Sequence, residues 1–257
     1  MHVSDMVFEV TRRCNLRCSH CMRGCSQRVD MDAQTIHNAL RDVESIGCLT
    51  ITGGEPSLKP EIIHQIWQEL LWQKVDVEYF YVVTNAHSTR GRREFLRELD
   101  RLYEWSSEKE MCSLVVSQDQ YHRWAHEPNF KYYTDEYFYD EDTGEEFYRP
   151  YIHLESRRED IYKVINEGLA EQFQLGSEDP RPQHPWEVSY WNEDMHVCGT
   201  LHSQTVYISA NGNVTSCCDM SYQRIDRDAQ GNVNEESLSN IILGYCIQEE
   251  EEELEAA

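Results

Sequence analysis

The sequence predicts an α/β fold built on a parallel sheet, and three observations lead there. Strand-like and helix-like stretches alternate four times through about the first 120 residues, the pattern of a parallel sheet with crossover helices. Polar residues stand repeatedly just after the ends of the strand-like stretches, the edge at which α/β barrels gather ligands. A chain of 257 residues, 40% of them hydrophobic, supports one large core, with or without a small appendage.

Taken in order, residues 7–11 read as the first strand and feed a loop with the spacing Cys14-x3-Cys18-x2-Cys21. Met31 to Ile46 carries apolar residues at helical intervals (Ile36, Ala39, Leu40, Val43, Ile46), with Gly47 as the stop. Cys48 to Thr52 is a short β-rich run ending at Gly53-Gly54-Glu55-Pro56. Glycines there either let the backbone approach a ligand, since no Cβ intervenes, or make an ordinary tight turn. Pro60 to Trp72 is again helical in spacing, and Val77 to Val83 is a strand ending at Thr84-Asn85-Ala86. A helix from about Arg90 to Trp105 precedes the strand Ser113 to Val116, which ends at Ser117-Gln118-Asp119. A Thr-Asn pair after a strand also serves as a helix cap.

From Tyr121 to Tyr151 the periodicity fades. His122 and His126 would share a helix face, as metal ligands or as a structural pair beside Trp124. The tyrosine- and acid-rich stretch near 121–150 reads as an insertion over the sheet edge or as a solvated hairpin. Ile152 to Leu154 suits a later strand, Arg157 to Phe173 a helix, and Gly176 to Pro185 a linker. Thr205 to Cys217 reads as a strand, an Asn211-Gly212 turn and a second strand, a β-hairpin. This divides the chain into a core over 1–175, an extension over 186–247, and an acidic tail over 248–257 expected to be disordered.

Composition narrows the function. A formal charge of −24, from 47 acidic and 23 basic residues, opposes nucleic-acid phosphates, whose binders carry a basic face. No stretch has the apolar length of a membrane span. Met1 to Asp5 enters a strand without a signal peptide's apolar region, so the ten cysteines point to the cytoplasm, where thiols stay reduced and serve metals.

Three thiolates on a loop leaving a strand can hold three irons of a [4Fe–4S] cluster, leaving one iron free for a substrate. Two alternatives use a fourth ligand: a structural zinc site with His20 or Cys25, and a closed four-thiolate electron carrier with Cys25. A closed site would leave Gly53-Gly54-Glu55-Pro56 without a task.

The cysteine spacing, with His20 in the position usually held by an aromatic residue before the last cysteine, resembles the radical S-adenosylmethionine (radical SAM) superfamily. Gly53-Gly54-Glu55-Pro56 is similar to that family's motif for the methionine part of the cofactor. The resemblance implies an incomplete (β/α)6 TIM-like barrel, with Cys14, Cys18 and Cys21 on the cluster and His20, Gly53, Gly54 and Glu55 near the cofactor. It further implies that Thr84, Asn85 and Ser117, in the strand-end motifs, reach the ribose and methionine carboxylate. The implied activity is reductive cleavage of S-adenosylmethionine to a 5′-deoxyadenosyl radical, fed by an electron donor such as flavodoxin or ferredoxin. Cys198, with thirteen residues between it and Gly212, and Cys217, with four between Gly212 and it, resemble the opening of the SPASM and twitch extensions of peptide-modifying members. That implies a peptide or protein substrate and a second iron–sulfur cluster drawing on Cys198, Cys217, Cys218 and Cys246. A member acting on a small metabolite or nucleoside precursor, and an iron–sulfur electron carrier without turnover, are the alternatives.

Overall fold

The computed structural model describes residues 1–87, 91–117, 137–140, 145–154, 164–180, 183, 186, 188–191 and 198–244. Its first half alternates as the sequence predicts: β1 (His2–Thr11), α1 (Ala33–Leu40), β2 (Ser45–Gly53), α2 (Pro60–Gln73), β3 (Asp76–Thr84), α3 (Arg92–Trp105) and β4 (Ser113–Val116). A separate hairpin, β5 (Tyr137–Asp140) and β6 (Glu145–Tyr148), precedes β7 (Ile152–Leu154) and the short α4 (Gly168–Gln172). Then come β8 (Val188–Trp191), β9 (Cys198–Ile208), β10 (Asn213–Thr215), α5 (Tyr222–Arg227) and β11 (Gly231–Asn232). Six strands, in the order β9-β1-β2-β3-β4-β7, run parallel, and the sheet does not close. This is the open, barrel-like α/β sheet expected from the sequence.

The two faces of the sheet differ, which is why the strands alternate in character. Phe8, Ile51, Val82 and Leu114 lie in register across four strands, are fully buried and share the main core with Ile36, Ile62, Ile66 and Leu99 of the helices. The neighbouring row on the other face is Val7, Thr50, Tyr81 and Ser113, where Thr50 and Ser113 are half-buried and Tyr81 is exposed. Successive residues of a strand point to opposite faces, so one face is a packed core and the other an open polar surface. At strand ends, tight local devices set direction. Asp32 caps α1 by accepting from Thr35 N–H at 2.7 Å, and Pro60 opens α2 at a position where its missing N–H costs nothing.

Three expectations are corrected. The first strand begins at His2 and not at residue 7. The first helix ends at Leu40; Val43 sits in a turn, and Ile46 belongs to β2, opposite Val3. Gly47 is therefore no helix stop. It lies within β2, where a Cβ would come 2.7 Å from the Ser4 carbonyl oxygen, and its role is close strand approach. The helix read over Arg157 to Phe173 is confined, among the described residues, to Gly168–Gln172. Ile165 instead bridges to Glu178, so the segment read as a free linker is in part paired to the protein. Gln118, Asp119, His122, His126, residues 157–163, Cys246 and the glutamate tail lie outside the described residues.

The C-terminal hairpin is present but is not a detached appendage. β9 and β10 pair antiparallel (Ile208 with Val214), while β9 also pairs parallel with β1 over His2 to Phe8. The chain's end thus supplies the strand that covers the outer edge of its beginning.

Gly47→Val is expected to destabilise the fold by about 1–3 kcal/mol, the range for overpacking a tight contact, seen as a lower urea midpoint. Gly244→Ala, where an added Cβ would meet nothing within 4 Å, is expected to leave the midpoint unchanged. Equal midpoints for Gly47→Val and the parent chain would show that β1 and β2 can part freely there.

Candidate iron–sulfur and cofactor site

The site is built where β1, β2 and β3 end. Beyond the last paired residues, the β2 chain continues against β1: Gly54 N–H donates to the Thr11 carbonyl at 2.7 Å and Glu55 N–H to the Arg13 carbonyl at 2.8 Å. Only glycines permit this. A Cβ on Gly53 would stand 2.3 Å from Thr11 O, one on Gly54 would stand 2.3 Å from Arg13 O, and Gly53 holds φ +155°. The two glycines thus bring backbone against backbone, and what they approach is the root of the cysteine loop.

Glu55 then ties in the third strand. Its buried carboxylate accepts from Ser57 N–H (3.1 Å), Thr84 Oγ1 (2.6 Å) and Asn85 N–H (2.8 Å). Burial lifts the carboxyl above its ordinary range, opposed first by the Asn85 N–H. Both oxygens are occupied by protein donors, so Glu55 acts as a brace between strand ends. The side chain of Asn85, fixed by this brace and by the left-handed Ala86 (φ +51°) that follows, reaches the cysteine loop. Its Nδ2 donates to Asn15 Oδ1 at 2.9 Å and lies 3.8 Å from Cys14 Sγ. Ser117 joins through its N–H, which donates to the Thr84 carbonyl at 3.0 Å.

Cys14, Cys18 and Cys21 are half-buried, as is His20 between the last two, while Cys25 is exposed. Burial pushes the Cys14 thiol up to about 11, with Glu55, Cys21 and Cys18 adding to the rise. Burial also raises Cys21, and Cys18 adds to it, so the three thiols occupy one electrostatic neighbourhood. Backbone N–H groups face the sulfurs: Leu16 donates to Cys14 at 3.4 Å, and Arg23 and Gly24 donate to Cys21. Among the described residues, no three His, Cys, Asp or Glu side chains form the ligand set of a single metal ion. An iron–sulfur cluster takes each thiolate on a different iron, so its ligands stand further apart than those of one ion. Three neighbouring thiols, with N–H donors on Cys14 and Cys21, fit such a cluster, whose sulfurs are tuned by hydrogen bonds.

The residues that hold this loop were not singled out from sequence. Asp30 accepts from Thr11 Oγ1 (2.6 Å) and Arg13 Nε (2.9 Å) and pairs with Lys59 (3.0 Å). Arg12, 1% exposed, donates through Nε to Glu9 (2.6 Å) and through its fork to both oxygens of Asp226 (2.7 Å each). Glu9, fully buried, also accepts from Tyr207 Oη and Ala210 N–H. Glu9 and Arg12 lie i, i+3 astride the end of a buried strand, the one sign in the sequence that they belong to each other.

The C-terminal section closes over the far end of the loop. Leu169 N–H donates to the Cys21 carbonyl (2.9 Å) and Tyr222 N–H to the Arg23 carbonyl (3.1 Å). Gly168, with φ +61°, sits so close that a Cβ would meet Met22 O at 2.2 Å. Cys217 is buried and Cys218 half-buried beside Val7, Tyr207, Met220 and Tyr222. The chain bends at Cys218, so the two thiols need not point to opposite faces as they would on a flat strand. Cys198, which the sequence reading places near Cys217, opens β9. β9 runs on from the hairpin ladder, held by the pairs His2 with Thr200 and Trp191 with Cys198.

Gly54→Val is expected to lower iron retention together with affinity for S-adenosylmethionine, because its side chain would displace Arg13 and the loop behind it. Iron analysis alongside calorimetric titration separates the cases: full iron with weak cofactor binding would place the glycine against the cofactor alone.

Residues 8–106 match the sequence model of the radical SAM superfamily, and residues 198–251 match that of the SPASM iron–sulfur cluster-binding domain. No curated protein matches the chain. Among solved structures it is similar to Streptococcus suis SuiB bound to precursor peptide SuiA, at 14% identity and a TM-score of 0.43, covering 94% of this chain and 64% of that one. It is also similar to native anSMEcpe with bound AdoMet and the Cp18Cys peptide, at 9% identity and a TM-score of 0.42, covering 95% of this chain and 82% of that one. The chain thus carries a radical SAM-like segment over residues 8–106 and a SPASM-like iron–sulfur cluster-binding segment over residues 198–251.

Proposed function

We propose that this radical SAM enzyme acts on a peptide or protein, with Cys14, Cys18 and Cys21 holding the [4Fe–4S] cluster. The observation that carries the assignment of the site is the convergence of three strand ends on the cysteine loop. The Gly53–Glu55 backbone, the Glu55 brace and Asn85 all meet at Cys14 and the segment before it. Held by Cys14, Cys18 and Cys21, a reduced [4Fe–4S] cluster would supply the electron for splitting S-adenosylmethionine into methionine and a 5′-deoxyadenosyl radical able to take hydrogen from carbon.

The protein's part is to bind, orient and exclude water. Gly53 and Gly54 fix the cluster loop and leave no side chain between it and the methionine group. Asn85 and Ser117 stand at the adjoining strand ends to receive the cofactor's polar groups, with Glu55 setting the position of Asn85, while the buried Thr84 hydroxyl is committed to Glu55 and the Ala86 N–H. His20 lies in the half-buried wall beside the last cluster ligand. The open polar face of the sheet, with Thr50, Tyr81 and Ser113, offers substrate a hydrated approach beneath the cluster loop.

The peptide reading rests on the SPASM section, similar to the extensions of peptide-modifying radical SAM enzymes. An auxiliary cluster there would draw on Cys198 and Cys217, with Cys246 or Cys218 adding a third ligand. A small redox protein such as flavodoxin or ferredoxin donates the electron. Among the described residues no helix is long and apolar enough to cross a membrane.

Anaerobically reconstituted protein with a strong reductant is expected to form 5′-deoxyadenosine. Alanine at Cys14, Cys18 or Cys21 should abolish this, and Cys25→Ala should leave it intact. Loss in Cys25→Ala would favour the closed electron-carrier alternative. For the substrate, a uniformly deuterated candidate peptide encoded beside this chain's gene should pass deuterium into 5′-deoxyadenosine. Turnover with a deuterium-free product would count against that peptide class.

A further inference from the structure

Arg23 stands two residues after the last cluster cysteine, and its side chain turns away from solvent, with 9% exposure. Its Nη1 donates to the Met220 carbonyl at 3.0 Å, and its guanidinium carbon lies 5.1 Å from the centre of the Tyr207 ring. The Arg23 carbonyl accepts from Tyr222 N–H, so main chain and side chain both lock onto the Cys217–Tyr222 segment. Tyr207, Cys217, Met220 and Tyr222, with Cys218 packed against them, form one buried cluster around it.

Such a location is costly for a cation unless something anionic answers it. The buried carboxylates of this region are engaged elsewhere, Glu9 with Arg12 and Glu167 with Arg224. No described carboxylate forms an ion pair with Arg23; its guanidinium touches a neutral carbonyl and a ring face, and Glu9, already bound to Arg12, acts on it only through space. The chemistry that fits the gap is a thiolate-ligated iron–sulfur cluster, which is anionic and becomes more so on reduction. Both cysteine segments feel this one guanidinium, which favours the thiolate of Cys21 and that of Cys218.

We propose that Arg23 is a positioning residue for redox chemistry: a fixed positive charge, walled in between the two cysteine-bearing segments, that makes the iron–sulfur site easier to reduce. This rests on the assignment of Cys14, Cys18 and Cys21 as cluster ligands. The electrostatic basis is general. Cluster potentials follow net charge, hydrogen bonding and burial, and a charge in a low-dielectric interior acts more strongly than one in water. Arginine stays protonated throughout the accessible pH range, so the effect is constant, whereas a lysine retains the charge on a different shape.

The test is a redox titration of the anaerobically reconstituted chain, followed by electron paramagnetic resonance, in the parent, Arg23→Met and Arg23→Lys. The midpoint potential of Arg23→Met is expected to move to more negative values at unchanged iron content, with Arg23→Lys close to the parent. A parent-like potential in Arg23→Met overturns the proposal. So does a shift in Arg23→Lys as large as that in Arg23→Met, since the effect would then follow shape and not charge. Where Arg23→Met retains no iron, recovery of both iron and potential in Arg23→Lys supports the role of charge, and loss in both variants overturns it. A parent chain without a [4Fe–4S] signal would instead sink the assignment of the cluster ligands.

Discussion

The carboxylate of Glu55 is the point on which the rest of the site depends. One side chain accepts from the turn that follows it and from the ends of the neighbouring strand, while its own N–H continues the β1–β2 ladder into the cysteine loop. A parallel sheet does not of itself make its strand ends meet. Each ends in backbone groups that need partners, and here a buried acid gathers those of β2 and β3 around one point. The requirement propagates outward. Gly53 and Gly54 must lack side chains so that the ladder can close, and Thr84 must carry a hydroxyl to reach the acid. Asn85 then emerges in a fixed direction, onto the loop.

The alternating half of the fold was legible because its physics is local. Helical spacing, strand alternation and turn residues are short-range patterns, and they place β1 to β4 and α1 to α3 in the observed order. Where the reading slipped, a long-range contact had displaced a local rule. Gly47 looks like a helix stop, yet it is empty space reserved for Ser4 on another strand. Ile46 fits the helical period of residues before it, but pairing with Val3 draws it into the sheet. The cysteine spacing and the double glycine were visible as motifs, and their geometry adds that the glycines meet the loop's own backbone. Arg12, Asp226, Tyr207 and Arg23 were not visible, because a lone arginine or tyrosine carries no periodic signature and their contacts cross most of the chain.

Those contacts make the cysteine loop a shared structure. One side is held by Asp30 and Lys59, close in sequence; the other rests on Leu169, Met220 and Tyr222. Burying a guanidinium such as that of Arg12 is tolerable only with its partners in place, and removing one partner of a buried pair is more damaging than never having had the pair. The arrangement therefore couples the loop to the SPASM section through groups that cannot be left half-made.

The parallel seat of β9 beside β1 has a consequence for assembly. Glu9 meets Tyr207 and Arg12 meets Asp226 across 198 and 214 residues of chain. During synthesis the first strand emerges long before β9, the strand that covers its edge. Until then the nascent protein presents an uncovered strand edge, the kind of surface that invites mispairing. Its buried arginine also still lacks the acid donated by α5. Such widely separated contacts form slowly because a long loop must close first. The cysteine loop thus reaches its final shape only after α5 has emerged, 214 residues behind Arg12, and a cluster held there would be seated after that point.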